Sequence, residues 1–68
     1  MSELQDIISI IKKRRKMLGI NQQDLAPIAG VSLRSLKAFE SGKGNPSLGL
    51  LLKILEPLGL TLKAEIKS

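Results

Sequence analysis

The chain contains no cysteine, histidine, tryptophan or tyrosine, and Phe39 is its only aromatic residue. Without cysteine or histidine it has no disulfide, no ordinary zinc site, and no thiol or imidazole for nucleophilic or acid–base catalysis. The glycines around residue 43 lack the spacing and the preceding strand of a phosphate-cradling loop. We therefore expect neither enzymatic activity nor a bound metal or cofactor.

Long apolar runs are also absent, although 43% of the residues are hydrophobic. A helix that crosses a bilayer needs about 20 consecutive apolar residues. The apolar stretch at residues 7–11 precedes the basic cluster at residues 12–16, which is the reverse of the order in a signal peptide. These features predict a cytoplasmic protein with no membrane association.

The 68 residues suffice for one small domain whose core is built from Leu, Ile, Val and Ala. This composition favours packed helices over a β-sandwich or barrel. A domain of this size buries a modest fraction of its surface and is only marginally stable alone. Because disulfides and zinc are excluded, we expect oligomerisation to supply further stability.

Positive charge is concentrated in residues 1–43, and the whole chain has a net charge of +5. Such an excess favours a polyanionic partner, either nucleic acid or an acidic membrane surface. Peptides that lie on membranes normally use aromatic anchors, which are missing here. Nucleic acid is therefore the favoured partner.

Glycines, prolines and capping residues divide most of the chain into four segments of helical periodicity. The first predicted helix spans residues 3–18, and the next three begin after Asn21, Ser32 and Ser47. In the fourth helix the predicted core stripe consists of Leu48, Leu51, Leu52, Leu55 and Leu58. Leu50 and Ile54 lie on a second apolar face, so burial of this helix on two sides is the alternative. Pro27 and Pro57 fall inside or near the end of predicted helices. Because an interior proline costs about 3 kcal/mol, we expect a kink or a shortened helix at Pro27.

After Gly59 the hydrophobic period changes from helical to two, which predicts a β-strand. The alternating apolar residues are Leu60, Leu62, Ala64 and Ile66. No second strand pattern occurs upstream, and a single unpaired strand does not persist. We therefore expect residues 59–68 to pair with the same segment of a second copy, which would form a homodimer.

The most informative spacing lies within residues 22–41. Two helices that cross steeply need a small residue at their contact, a glycine at the turn and a few inward apolar residues. These requirements are met at the expected intervals by Leu25, Ala26, Ala29, Gly30, Val31, Leu36 and Phe39. The pattern predicts a helix-turn-helix within a domain that spans residues 1–58.

The third predicted helix is polar on its outer side, as a helix that enters the DNA major groove must be. We expect its early residues to contact base edges: Leu33, Arg34, Lys37 and Ala38. Arg34 is suited to guanine O6 and N7, and Leu33 to a thymine methyl group. Gln22 and Ser32 lie at helix N-termini, where free N–H groups favour phosphates. The alternative is that Arg34 and Lys37 are ordinary solvated charges.

The segment LGINQQDLAPIAGVSLRSLKAFESGKGNPS resembles the Cro/repressor-type helix-turn-helix domains, also called XRE-like, and the resemblance extends over roughly residues 4–58. It implies an all-α, lambda-repressor-like domain of four helices in which Gln22 contacts a phosphate. It also implies contacts to the DNA backbone from Ser35, Ser41, Lys43 and Asn45. A buried ion pair between Arg15 and Glu40 is implied as well.

The tail LLKILEPLGLTLKAEIKS is similar to that of the HipB-type antitoxin subgroup, whose dimers are joined by an intermolecular β-ribbon. This similarity implies a short C-terminal strand that pairs across the dimer. Two functions fit these resemblances. The first is a dimeric repressor that binds double-stranded DNA at a pseudo-palindromic operator. The alternative is an antitoxin that mainly binds and neutralises a kinase-like toxin, with autoregulation on DNA as a secondary role.

Overall fold

Four α-helices and a terminal 3₁₀ turn make up the protein in the computed structural model, which describes residues 3–64. The helices are α1 (Glu3–Met17), α2 (Gln22–Ala29), α3 (Leu33–Glu40) and α4 (Leu48–Leu55), and the 3₁₀ turn is Glu56–Leu58. The prediction of an all-helical domain with four helices is confirmed. None of the helices in this part of the chain has the length and apolar character needed to cross a membrane.

Each of the three short helices begins at the capping residue that the sequence predicts. Asn21 Oδ1 accepts a hydrogen bond from the Asp24 N–H at 2.7 Å. Ser32 Oγ and Ser47 Oγ each accept one from the N–H three residues later, at 3.0 Å. A cap of this kind stabilises a helix by about 1 kcal/mol because it satisfies a donor that has no partner inside the helix.

The turn between α2 and α3 consists of residues 30–32 and is held by Gly30, whose φ of 73° lies in the left-handed region. The Val31 N–H donates to Ala26 O at 3.0 Å, and the Gly30 N–H donates to Pro27 O at 3.2 Å. This pair of bonds is a Schellman motif, which satisfies carbonyls at the end of α2. It fixes the direction in which the chain leaves α2 to enter α3.

We predict that Gly30→Ala lowers the free energy of unfolding by about 1 kcal/mol, because a Cβ atom is strained at positive φ. No atom lies within 4 Å of the added Cβ, so the effect is conformational rather than steric. Gly49 is the matched control, since it lies in α4 without a positive φ and its Cβ would meet only Ser47 Oγ at 3.9 Å. Gly49→Ala is expected to stabilise by about 0.5 kcal/mol. Urea unfolding of both variants measures these changes. Changes of the same sign in the free energy of unfolding would contradict the prediction.

The core lies where the four helices meet. Helix α2 is central, since it packs against α3, α4 and the 3₁₀ turn, while α1 packs against α3 and that turn. The buried hydrophobic residues are Ile8, Ile11, Leu25, Ala26, Ala29, Leu36, Phe39, Leu51, Ile54, Leu55 and Leu58. Helix α3 contributes Leu36 and Phe39 to this core, which leaves Arg34, Lys37 and Ala38 exposed for contacts with a partner.

The predicted core stripe of α4 is wrong at two positions. Leu48 is 61% exposed and Leu52 is 48% exposed. The buried face instead contains Ile54, together with Leu51, Leu55 and Leu58, at the i, i+3, i+4, i+7 spacing of a single helix face. Two overlapping apolar stripes occur in this helix, one with Leu48 and Leu52 and the other with Ile54. Contact with α2 determines that the second is buried.

The two prolines are accommodated without breaking a helix. Pro27 is exposed, and α2 continues past it to Ala29, so the shortened helix predicted there is not observed. The proline leaves only the carbonyl of Gln23 without its usual donor, and Gln23 is exposed to water. Pro57 lies at the start of the 3₁₀ turn, after α4 has ended, where the missing N–H costs little.

The C-terminal segment is described as far as Ala64. Residues 60–64 are neither helical nor paired with another described segment of the chain. Leu60 packs against the core, whereas Leu62 is 42% exposed and Ala64 is also exposed. Ile66 lies outside the described residues. The strand and its pairing across a dimer therefore stay predictions.

Candidate nucleic-acid interface

Helix α3 presents one continuous exposed face made of Arg34, Lys37, Ala38 and Ser41. Their spacing of i, i+3, i+4 and i+7 aligns them along one side of the helix and its C-cap. The face carries two cations, and the only acidic residue of α3, Glu40, is buried. This surface suits a polyanion whose grooves accept a helix.

Leu33 differs from the other residues that were expected to contact bases. It is half-buried and packs against the core, whereas the sequence pattern placed it on the outward side. Less of its side chain is therefore available to a thymine methyl group than the sequence suggests.

A shallow groove of about 160 Å³ borders the exposed face of α3 on the side of the following loop. We call it the loop-side groove; its lining includes Ser35, Lys43 and Asn45, three of the residues expected to contact the DNA backbone. Ser32 Oγ donates to Ser35 Oγ at 2.9 Å, which engages the Ser32 hydroxyl inside the protein. A serine hydroxyl both donates and accepts, so Ser35 can also bond an external acceptor such as a phosphate.

A second groove, of about 400 Å³, borders the other side of the same face. This α1-side groove is lined by Lys12, Arg15, Gln22, Lys37, Glu40 and Ser41. The Ser41 hydroxyl donates to Ala38 O at 2.9 Å, so its single proton is already used. Five of the six residues expected to bind phosphates thus fall into two sets that flank α3, and Ser32 lines neither groove. A helix in the major groove needs this arrangement, because a sugar–phosphate strand runs along each side of the groove.

Arg15 and Glu40, expected to form a buried ion pair, are joined by two hydrogen bonds. Arg15 Nε donates to Glu40 Oε2 and Nη2 donates to Oε1, both at 2.8 Å. Their side chains are 10% and 3% exposed. Arg15 Nη1 also donates to Ile20 O at 2.9 Å. The pair connects α1 to the end of α3 and therefore fixes the orientation of the exposed α3 face.

Gln22 extends this pair into a network across three helices, since its Nε2 donates to Glu40 Oε1 at 3.1 Å. The sequence assigns Gln22 a phosphate contact but gives no sign of this bond. No spacing rule relates residues 22 and 40, which meet only because α2 and α3 cross. This bond uses one N–H of the Gln22 amide, so the second N–H can donate to a phosphate and the oxygen can accept a hydrogen bond.

The five basic residues at positions 12–16 of α1 lie in different surroundings. Arg14 Nε donates to Leu58 O at 2.9 Å and so attaches α1 to the 3₁₀ turn. Arg15 is buried, Lys12 is half-buried, and Lys13 and Lys16 are exposed. Five consecutive residues point in all directions around a helix, so these five charges cannot all face one ligand, and their positions agree with that. The role of Arg14 has no local sequence signal, because its partner is 44 residues away.

The sequence of the chain also matches a known protein family. A sequence model of the helix-turn-helix family matches residues 11–64, which is more than half of the chain and includes all of α2, α3 and α4. The chain belongs to the Cro/repressor-type helix-turn-helix family. The matched range includes the turn at Gly30 and the exposed face of α3.

Several proteins named as transcriptional regulators or repressors are similar to this chain. An uncharacterized HTH-type transcriptional regulator of Haemophilus influenzae is 41% identical over 58 residues, which cover 81% of this chain and 59% of the relative. The uncharacterized HTH-type transcriptional regulator y4mF of Sinorhizobium fredii is 35% identical over 57 residues, which cover 84% and 75% respectively. The cryptic phage CTXphi transcriptional repressor RstR of Vibrio cholerae is 35% identical over 52 residues, which cover 76% and 46%. The chain thus spans between about half and three quarters of the length of these relatives.

Proposed function

We propose that the protein is a sequence-specific DNA-binding transcriptional regulator, a dimeric repressor that acts by occupying a pseudo-palindromic operator. The observation that carries this proposal is the exposed α3 face with Arg34 and Lys37, flanked by two grooves whose linings include polar and basic side chains. The similar proteins named as transcriptional regulators, one of them a phage repressor, support it.

Base recognition in this proposal depends on the first two turns of α3. Arg34 is the second residue of the helix, so its guanidinium reaches deepest into the major groove and donates two hydrogen bonds to guanine. Lys37 lies about 4.5 Å further along the helix axis, more than the roughly 3.4 Å between adjacent base pairs, so its long side chain is directed to a base pair next to the one that Arg34 contacts. The small side chain of Ala38 allows close approach and contact with a thymine methyl group.

Contacts to the DNA backbone on both sides of α3 set its register. On one side these are Ser35, Lys43 and Asn45 in the loop-side groove, and on the other side Gln22 in the α1-side groove. Phosphate contacts carry no sequence information, but they hold the helix at a fixed depth and angle. Ser41 contributes less to phosphate binding than the resemblance implies, because its hydroxyl proton is donated to Ala38 O. At Ser32 the expected contact is to the N–H groups at the start of α3.

The experiment that tests the proposal is selection of binding sites from a library of random duplexes with the full chain. We expect enrichment of a pseudo-palindromic sequence whose half-sites are about 34 Å apart, one turn of DNA. The enriched duplex should bind at least about 10³-fold more tightly than random duplex. Equal affinity for all duplexes would contradict sequence-specific binding.

Dimerisation is proposed to occur through residues 59–68. We predict that deleting residues 61–68 converts a dimer, with twice the 7.4 kDa mass of the chain, into a monomer. This deletion keeps Leu60, which packs against the core. Sedimentation equilibrium measures the result, and a truncated chain that is still dimeric would contradict the β-ribbon. Leu62→Glu should also dissociate the dimer, whereas Thr61→Glu, on the other face of the predicted strand, should not.

One observation also favours the alternative function of an antitoxin. Leu48 and Leu52 form an exposed apolar pair on α4, and neither lines a groove beside α3. A protein partner such as a kinase-like toxin would bind a surface of this kind. Its binding is expected to survive Arg34→Ala and to be lost on Leu52→Glu, which separates the two functions.

A further inference from the structure

The α1-side groove continues along α1 beyond the residues that flank α3. It meets a second depression, of about 490 Å³, which is lined in part by Lys13 and Lys16. Both depressions share Lys12, Glu40 and Ser41. Lys12 therefore lies at the boundary between them, and its side chain is half-buried.

The charge of Lys12 has no counterion in the described part of the chain. Glu40 is the only acidic residue that lines either depression, and its carboxylate already accepts hydrogen bonds from Arg15 and Gln22. The one ion pair among residues 3–64 is the one between Arg15 and Glu40. Lys12 is half-buried, and a lysine in such a position covers apolar surface with its stem while its ammonium group stays in water.

We infer that Lys12 binds a phosphate of the DNA strand that passes along the α1-side groove. This inference rests on the proposed function and extends it to a residue of α1. Gln22 and Lys37 line the same groove, so a strand that contacts them while α3 occupies the major groove also passes Lys12. A lysine ammonium is a compact point charge and needs no bidentate geometry to bind a phosphate.

The test measures the salt dependence of DNA affinity for the wild type, Lys12→Gln and a charge-matched control. Lys53 is the control, because it is an exposed lysine on α4 that lines none of the three depressions. The probes are a fluorescein-labelled duplex selected as above and a duplex of random sequence. Plots of log affinity against log salt concentration give one slope for each protein and duplex.

Lys12→Gln is expected to reduce the magnitude of this slope by about 0.9 for each bound protomer, the contribution of one phosphate contact. The reduction should be the same on both duplexes, since a phosphate contact carries no sequence information. Lys53→Gln should match the wild type. Lys12→Arg keeps the positive charge and should restore the wild-type slope.

Two outcomes would overturn different parts of this account. A Lys12→Gln slope equal to that of the wild type, with selected duplex still preferred, would refute the Lys12 contact and leave the proposed function intact. A wild-type protein whose binding to both duplexes is independent of salt would refute the proposed function and the Lys12 contact together. Thermal unfolding of Lys12→Gln should resemble that of the wild type, because Lys12 forms no ion pair with a described residue.

Discussion

Arg34→Ala is expected to remove most of the preference for the operator while leaving the fold unchanged. Arg34 is exposed on α3 and forms no ion pair with another described residue. A bidentate contact to guanine contributes about 1–3 kcal/mol to discrimination between bases. A dimer loses this contact in both half-sites, so the total loss is about 2–6 kcal/mol, or at least about 30-fold in specific affinity.

Competition between the selected duplex and random duplex measures this loss. Lys43→Ala is the matched control, because Lys43 is an exposed cation in the loop-side groove with an expected contact to phosphate only. Its affinity should fall equally on both duplexes, whereas Arg34→Ala should weaken mainly the binding of the selected duplex. Equal losses for Arg34→Ala on both duplexes would show that Arg34 contacts phosphate rather than a base.

Glu40→Gln is expected to lower the free energy of unfolding by about 3–5 kcal/mol, because it leaves the guanidinium of Arg15 buried without its counterion. The two side chains are 10% and 3% exposed, so water replaces little of the lost interaction. A domain of this size has a total stability of about 3–10 kcal/mol. The loss is therefore about a third or more of the total stability, and the Tm of the variant should fall by at least about 12 °C.

Thermal unfolding followed by circular dichroism tests this expectation. Glu56→Gln removes the charge of an exposed carboxylate and should change the stability by less than about 0.5 kcal/mol. The double variant Arg15→Met with Glu40→Leu should recover part of the lost stability, since apolar side chains of similar size can replace a buried pair. An unchanged Tm for Glu40→Gln would contradict the structural role of this pair.

The sequence alone predicts the starts and ends of the helices well, because local chemistry determines them. Asn21, Ser32 and Ser47 cap helices through hydrogen bonds that span three residues. Gly30 ends α2 because the left-handed conformation favours glycine. The exposed face of α3 is also predictable, since Arg34 and Lys37 alternate with the buried Leu36 and Phe39 at helical period.

Contacts between distant segments are not predictable in this way. The bonds from Arg14 to Leu58 and from Gln22 to Glu40 depend on how the helices cross, and periodicity contains no information about that. In α4, both apolar stripes have helical spacing. Only the packing against α2 shows that Ile54 is buried and Leu52 is not.

The position of Lys12 is partly foreseeable. Arg15 lies one turn later on the same helix, so the predicted pair between Arg15 and Glu40 implies that Lys12 also lies near the end of α3. The sequence does not show which of the five basic residues of α1 borders the groove. That depends on the rotation of α1 about its axis, which the burial of Ile8 and Ile11 determines.

The central claim is that the exposed face of α3 is the surface that contacts DNA. Titration of ¹⁵N-labelled protein with the selected duplex, followed by amide chemical shifts, tests it most directly. The account predicts the largest shift changes at Arg34, Lys37 and the loop around Lys43, with little change at Leu48 and Leu52 on α4. Large changes confined to α4, with the amides of α3 unaffected, would contradict it.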